Sequence, residues 1–541
     1  MNGLNHSGMP HAAPSGTTSA AFRQPLTPRQ QRNAGGRKAA KFFAAFFVIV
    51  LMLLGISLIV AFPRSERFVV ELGDDVSVSP TDYLFGYSFI VNSGSIDVSD
   101  VDTGRVGNYK AAANLLFYHY ALDISVVDTT PPEIVPFADE LFIATGKDYR
   151  PEDFAEKISD CSGEVKCCIE YGGSEWESID FPIRGRYQLT LEAEDASGNV
   201  GSCEISFNAD DPPVIIGAFD RHLPVGTDFD ITRAAAADTE DGNLTGRMRV
   251  DTGGFDPQTE GSYTVTYRVA DSHGLLTEKS VTISVCSRRT LSLYKDDIAL
   301  GEDELRLLCN AGYFTYQPLD TPDYDKTVSL VEPTLIDLKQ VRSNGYAAGS
   351  GCIYKITPEY TYMLSVKHVL KEVSRGCSVM FFDGTAVRRD LDYVSSASHN
   401  ELSMFRIPTA DIPADTLMAL RQVCVDADIY STLSEGDEVV AYATHWTGTD
   451  NELIRRMKVK RLTSSISDFG LLDSLLETTD GVVSGMSGTA VVDLKGRLVG
   501  LASAFGTATG DKYNSSAYHS KIDALPEVEA LLEAMYTDKA A

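Results

Sequence analysis

The chain has 541 residues, 43% of them hydrophobic and 23% charged, a globular composition too long for one core and sufficient for about three to four domains. Its formal net charge of −29 excludes nucleic acid as a partner, because holding a phosphate backbone takes a basic surface that releases counterions. The charge is also lopsided, since residues 1–41 contain Arg23, Arg29, Arg32, Arg37, Lys38 and Lys41 and no acid.

That basic tail is rich in Gly, Ser, Pro, Ala and Gln and reads as a disordered cytoplasmic segment. It runs into FFAAFFVIVLMLLGISLIVAF, residues 42–62, which carries no charge. As a helix this run is about 31 Å long, the thickness of a bilayer core. PRSER follows it rather than a small-residue cleavage site, so a transmembrane helix is expected and not a removed signal peptide. The bases ahead of it place the N-terminus in the cytoplasm, giving a single-pass cell-membrane protein with extracellular C-terminal domains. All nine cysteines lie beyond the run, where disulfides are allowed. Cys161, Cys167, Cys168 and Cys203 cluster, Cys286 and Cys309 bracket a short loop, and Cys352 with Cys377 read as a brace or as packed thiols. No cysteine spacing resembles a zinc site, and no metal or cofactor is expected.

Three segments follow in which G-x-Y opens an alternating strand: VGNYKAAA from Val106, RGRYQLTLEAED from Arg184 and EGSYTVTYRVAD from Glu260. DTTPPEI at 128 and DDPPVII at 210 repeat as junctions. Tyr187, Leu189, Leu191 and Ala193 share one face, as do Tyr263, Val265, Tyr267 and Val269, and this period of two predicts half-buried sandwich strands. Asp238, Glu240 and Asp241 crowd one turn, a pattern read either as a calcium position or as a plain acidic, glycine-containing turn. With ELGDDVSVSPTDYL and AADTEDGNLTGRMRV, these segments resemble bacterial surface immunoglobulin-like repeats. The resemblance implies sandwiches at 65–128, 129–209 and 210–286, which could serve as spacers or dock a cell-surface partner.

A connector, 287–324, leads to a region from 325 to 541 made of short strand-like runs, with helical periodicity only in ALPEVEALLEAMY, residues 524–536. Three stretches stand out in order. LSVKHVL ends an apolar strand at His368, NELSMFRI begins a strand at Glu401, and SGMSGTAVVDLKGRLVGLAS holds Ser487 between glycines. A lone histidine after a strand is more often structural than catalytic, and a G-x-S-G string is weak alone. Together and in this order they resemble the trypsin-like (chymotrypsin-fold) serine proteases, nearest to the HtrA-type branch. The resemblance implies an all-β double barrel and a membrane-anchored serine endopeptidase acting on protein or peptide substrates.

In that reading Ser487 is the nucleophile, His368 the general base and Glu401 the orienting acid. The N–H groups of Gly485 and Ser487 form the oxyanion hole, while Gly481 at the pocket floor and Ser503, Ala504 and Phe505 bind substrate. Glu401 stands where the family has Asp, and Asp392 is a nearby rival. Met486 replaces a polar residue, and Thr489-Ala490 replaces Gly-Pro. No acid stands at Gly481, although Asp480 adjoins it. The acid change keeps an alternative open: a surface adhesion or binding protein whose protease-fold domain is inactive.

Overall fold

The computed structural model describes residues 42–52, 61–115, 119–138, 140–291, 296, 298–342, 345–373, 375–391, 394–443, 453–466, 472–479, 485–505 and 516–540. Two compact units divide the chain: Met1–Ile134 with Lys157–Cys167 and Glu192–Ser202, and Val135–Glu156 with Cys168–Leu191 and Cys203–Ala541.

In the first unit residues 42–52 are helical, and Phe42, Phe43, Phe46 and Phe47 are exposed. Among the described residues no helix is long and apolar enough to cross a membrane. The apolar run also ends earlier than its sequence suggests. Ala61–Pro63 is a strand antiparallel to Leu84–Gly86, and the fully buried Ala61 belongs to a core with Tyr83 and Leu84. Backbone committed to a ladder is not available to a spanning helix, so residues 61 and 62 leave the expected span. Beyond it, Phe68–Glu71 runs parallel to His119–Val127, which pairs antiparallel with Gly107–Asn114.

The same plan recurs in the second unit. Leu141–Ala144 runs parallel to the end of Val200–Asp210, and Arg221–Pro224 runs parallel to the end of Leu276–Cys286. The G-x-Y words have a shared physical role. Tyr109, Tyr187 and Tyr263 each donate a phenol hydrogen bond to a carbonyl four residues upstream, on Arg105 (2.8 Å), Ile183 (2.6 Å) and Thr259 (3.0 Å). A Cβ on Gly107 or Gly261 would lie 3.3 Å from that tyrosine ring, so glycine makes room for the ring that pins the strand entry. The alternation then buries one face, with Leu189, Leu191 and Ala193 in one hairpin and Val265, Tyr267 and Val269 in the other.

The connector is folded. Helix α1 (Glu302–Asn310) buries Leu305 and Leu308, and Tyr313, Phe314 and Tyr316 follow into a core that also holds Ile216, Ala235 and Ala237 of the third repeat. Arg221 of that repeat makes a two-pronged pair with Asp415, at 3.0 and 2.9 Å. The third repeat is therefore packed on the C-terminal domain by apolar surface and a half-buried ion pair.

The C-terminal domain has two halves. The first contains β1 (Leu335–Arg342), β2 (Gly345–Ile356), β3 (Tyr360–Val366), helix α2 (Lys367–Val373), β4 (Cys377–Phe381), β5 (Ala386–Arg389), β6 (Val394–Ser396) and β7 (Leu402–Pro408). These form a seven-stranded sheet in the order β5-β4-β1-β2-β3-β7-β6. Laid flat, its edges would stand about 29 Å apart. The link from Arg389 to Val394 reaches at most about 19 Å, so the sheet must curl.

The second half contains β8 (Glu438–Ala443), β9 (Leu453–Ile466), β10 (Leu472–Thr478), β11 (Ala490–Asp493), β12 (Leu498–Phe505) and β13 (Ala517–Ser520), which close as a barrel in the order β8-β9-β10-β13-β12-β11. One closed barrel and one curled sheet thus stand where two barrels were expected, because no ladder joins β5 to β6 among the described residues. Helix α3 (Leu525–Ala540) packs back on the sheet half, where Ser395 Oγ donates to the Val528 carbonyl and Tyr354 OH to Glu529, at 2.8 and 2.7 Å. Cys352 and Cys377 are buried thiols and not a disulfide, and Cys286 is not bonded to Cys309. In register Cys352 faces Leu335, whereas Ser378, next to Cys377, faces Lys339, so the two sulfurs sit at different levels of the sheet.

Candidate active site

His368 and Glu401 are brought together by sheet register. β3 pairs with β7 so that Val366 lies opposite Leu402, and the next residues out along each strand continue that pairing. The Lys367 N–H donates to the Glu401 carbonyl at 2.8 Å. One residue further, the His368 ring meets Glu401 Oε2 through Nδ1, and the same oxygen accepts the His368 backbone N–H at 3.4 Å. The extra methylene of Glu is thus absorbed by folding the carboxylate back over the turn into α2. The Glu401 side chain is 14% exposed and that of His368 46%, so the acid is sheltered while the imidazole faces outward. With Nδ1 given to the carboxylate, Nε2 is left as the proton acceptor.

Ser487 stands on the turn before β11, in the other half. Three backbone hydrogen bonds dock that turn: Ser350 N–H to the Ser487 carbonyl (2.8 Å), Gly488 N–H to Ala502 (2.7 Å) and Thr489 N–H to Met486 (2.9 Å). Gly488 is required twice over. Its φ is +91°, and a Cβ there would lie 2.0 Å from the Ser350 carbonyl oxygen. Met486, fully buried, anchors the turn in the core, which accounts for an apolar residue at this position. Gly349 on β2 makes the seam close. A Cβ on it would meet Val369, the residue after His368, at 2.5 Å and the Ser487 carbonyl at 3.1 Å. The serine turn and the start of α2 are therefore neighbours across one glycine.

Gly485 has φ +100°, and among the described residues neither its N–H nor that of Ser487 has an acceptor within the protein. Two such N–H groups beside a nucleophile are the requirement for holding an oxyanion. Among the described residues no hydrogen bond joins His368 to Ser487 Oγ. Such contacts are commonly long before substrate arrives.

Ser503 does not present its hydroxyl to a ligand. It is buried, donates to the Leu501 carbonyl at 2.9 Å and lies 2.6 Å from Ser520 Oγ. The ladder to β13 slips at Ser503, between Ala502 and Ala504, a bulge of the kind found beside active sites. Among the described residues, β11 covers β12 only as far as Leu501, which leaves the Ser503–Phe505 backbone uncovered on that side. Gly481, Asp480 and Asp392 lie outside the described residues.

Sequence reasoning missed the polar struts behind these groups. Ser520 Oγ accepts the Glu401 backbone N–H at 3.0 Å. Ser365 Oγ donates to the Ser350 carbonyl at 2.7 Å, and Ser350 Oγ donates to Asp337 at 3.0 Å. All four side chains are buried. The only available signal was a polar residue at an inward strand position, in AGSGCIY and MLSVKH.

Residues 214–285 match the family model for the bacterial surface protein Ig-like domain. None of the curated proteins matches this chain. Among solved structures the chain is similar to the HtrA-type protease AlgW with tripeptide, at 18% identity over 39% of this chain and 64% of that chain, with a TM-score of 0.32. It is also similar to a serine-to-alanine variant of that protease with decapeptide, at 16% identity over 39% and 67% of the two chains, with a TM-score of 0.31. The chain thus spans under two thirds of the length of the first of these. Residues 214–285 are thus similar to a bacterial surface Ig-like domain, and 39% of the chain is similar to an HtrA-type protease.

Proposed function

We propose that this protein is a membrane-anchored, extracellular serine endopeptidase acting on protein or peptide substrates by acyl transfer. The observation that carries the reading is the His368 Nδ1–Glu401 contact, set on the strand beside the one that docks the Ser487 turn. Ser487 Oγ attacks the scissile carbonyl while His368 Nε2 takes its proton. The tetrahedral oxyanion rests on the N–H groups of Gly485 and Ser487. Its collapse breaks the C–N bond, and the imidazolium returns the proton to the leaving amine. Water, activated by the same imidazole, then hydrolyses the acyl-enzyme. Glu401 holds the ring and stabilises its charged form. The uncovered Ser503–Phe505 edge pairs the substrate backbone as an added strand.

The tether in this reading is the apolar run 42–60, supported by its uncovered phenylalanines, with the basic tail cytoplasmic and the repeats and catalytic domain outside. The repeats remain available to a cell-surface partner. A second reading, a surface binding protein with an inactive protease fold, is favoured by the absence, among the described residues, of a His368–Ser487 hydrogen bond.

A fluorophosphonate probe on the purified full chain separates the two. The endopeptidase reading expects labelling that disappears in Ser487→Ala and falls by at least about 10³-fold in His368→Ala. A folded wild-type protein that takes no label leaves the binding reading standing.

A further inference from the structure

The head of the third repeat contains a cluster of acids that acyl transfer does not use. Asp271 accepts the N–H groups of His273 and Leu275 on Oδ1, both at 2.8 Å, while its Oδ2 is buried without a partner among the described residues. Asp238 is divided in the same way. Its Oδ1 accepts from the Glu240 and Asp241 N–H groups at 2.8 and 2.9 Å, and its Oδ2 is buried without a partner among the described residues. The two residues are 9% and 4% exposed. Ligand atoms of Asp210, Asp271 and His273 all lie within 4.8 Å of one another. The Asp238 turn reaches this cluster through Asp241, whose N–H Asp238 accepts and whose own Oδ2 takes the Ser272 N–H at 2.6 Å, next to Asp271.

One repeat earlier, Asp128, Asp160 and Asp195 occupy the corresponding positions, and there the chain satisfies itself. Asn199 Nδ2 donates to Asp195 Oδ2 at 2.8 Å, and Ser197 Oγ donates to Asp128 at 3.3 Å. The third repeat has Leu275 in place of Asn199 and His273 in place of Ser197. Leucine offers no donor, so Asp271 Oδ2 is stranded. His273 keeps its half of the pattern, with Nδ1 2.7 Å from Asp210 Oδ2 and its ring stacked on Phe142 at 4.0 Å.

We propose that Asp210, Asp238 and Asp271 bind a hard divalent cation, calcium, in place of the donor that Leu275 cannot supply. Calcium takes carboxylate oxygens at about 2.3–2.6 Å, which allows ligand atoms up to about 5 Å apart, the spacing that Asp210 and Asp271 have. His273 is a positioning residue that orients Asp210. The other acids of the turn are committed elsewhere, Glu240 to Arg184 and Asp241 to Ser272.

The test uses the full chain stripped of metal, with calcium chloride as the probe, read by titration calorimetry and by thermal melting. One site with a Kd of about 10⁻⁴–10⁻³ M is expected, with a melting temperature several degrees higher in calcium than in chelator. Asp238→Asn and Asp271→Asn should lose that rise while melting no lower than wild type in chelator, since each removes one of several crowded charges. Leu275→Asn restores the missing amide, and the folded variant should lose calcium binding. The proposal is overturned if the wild type shows neither heat nor shift, if Asp238→Asn or Leu275→Asn still binds, or if zinc binds instead and depends on His273.

Discussion

The two halves of the C-terminal domain hold the proposed catalytic groups by different means. In the sheet half, Glu401 sits one residue and His368 two residues past the last rung of a ladder, and the pairing of Val366 with Leu402 fixes where they meet. In the barrel half, Ser487 stands on a turn that leans across the seam onto β2, through Ser350 N–H and the tight approach of Gly488. An acid–base pair set by register tolerates chemical change without structural loss, because its backbone bonds do not depend on the side chains. A nucleophile set by docking does not share that tolerance, because the contact that positions it also closes the seam.

Glu401→Gln probes the first half of this contrast and carries the largest expected effect. The substitution keeps the size and the backbone bonds of Glu401 to Lys367 and Ser520 but presents the wrong partner to Nδ1. Labelling should slow by about 10³–10⁴-fold, with the melting temperature unchanged. Glu401→Asp keeps the charge but draws it back by a methylene, so its rate should fall between Gln and wild type. Equal rates for Glu and Gln would remove Glu401 from the mechanism.

Gly488→Ala probes the second half. The new Cβ would overlap the Ser350 oxygen at 2.0 Å and approach Ser365 Oγ at 2.5 Å, at a φ that side chains rarely adopt. A loss of about 2–4 kcal/mol is expected in urea unfolding, together with loss of labelling, because the turn must leave β2. Unchanged stability would mean that the seam does not depend on this contact.

How much of this was legible follows the same division. Local words single out His368 after its apolar strand, Glu401 before the next and Ser487 between glycines, and the fold brings the first two into contact. What those words cannot carry is partnership over distance. Ser520 meets the Glu401 backbone across 119 residues, and nothing in AYHS marks it as a strut. Ala61 reads as part of the span because apolarity looks the same whether a bilayer or a sheet core receives it, and Phe62 follows it into the strand with its side chain exposed. In the acidic turn, sequence weighed Glu240 and Asp241 beside Asp238, whereas the fold sends those two to Arg184 and Ser272 and gathers Asp210, Asp271 and His273 nearby. The cysteines illustrate the same limit. Cys352 and Cys377 read equally as a brace or as packed thiols, and the fold makes each a packed thiol, pushed by burial up to about 12 and about 11.

The barrel half also carries the smaller, pH-dependent effect. His519 on β13 is fully buried, one residue before Ser520, with Nε2 2.9 Å from Thr478 Oγ1 and, among the described residues, no partner for Nδ1. Burial pushes its imidazole down to about 3 from the ordinary 6.5. The unfolded chain takes up this proton near pH 6.5, whereas the folded chain refuses it until about pH 3. The stabilisation is therefore complete above pH 6.5 and is lost as the pH falls through that window, at about 1.4 kcal/mol per unit. Between pH 7.5 and 5 the wild type should lose about 2 kcal/mol more in urea unfolding than His519→Gln, which has no such proton to bind. Parallel losses in the two proteins would mean that the imidazole is not sealed in the barrel. A steeper loss in the wild type would make the half that carries the nucleophile the one that acid opens first, releasing Ser520 from Glu401 and so linking barrel stability to the acid–base pair across the seam.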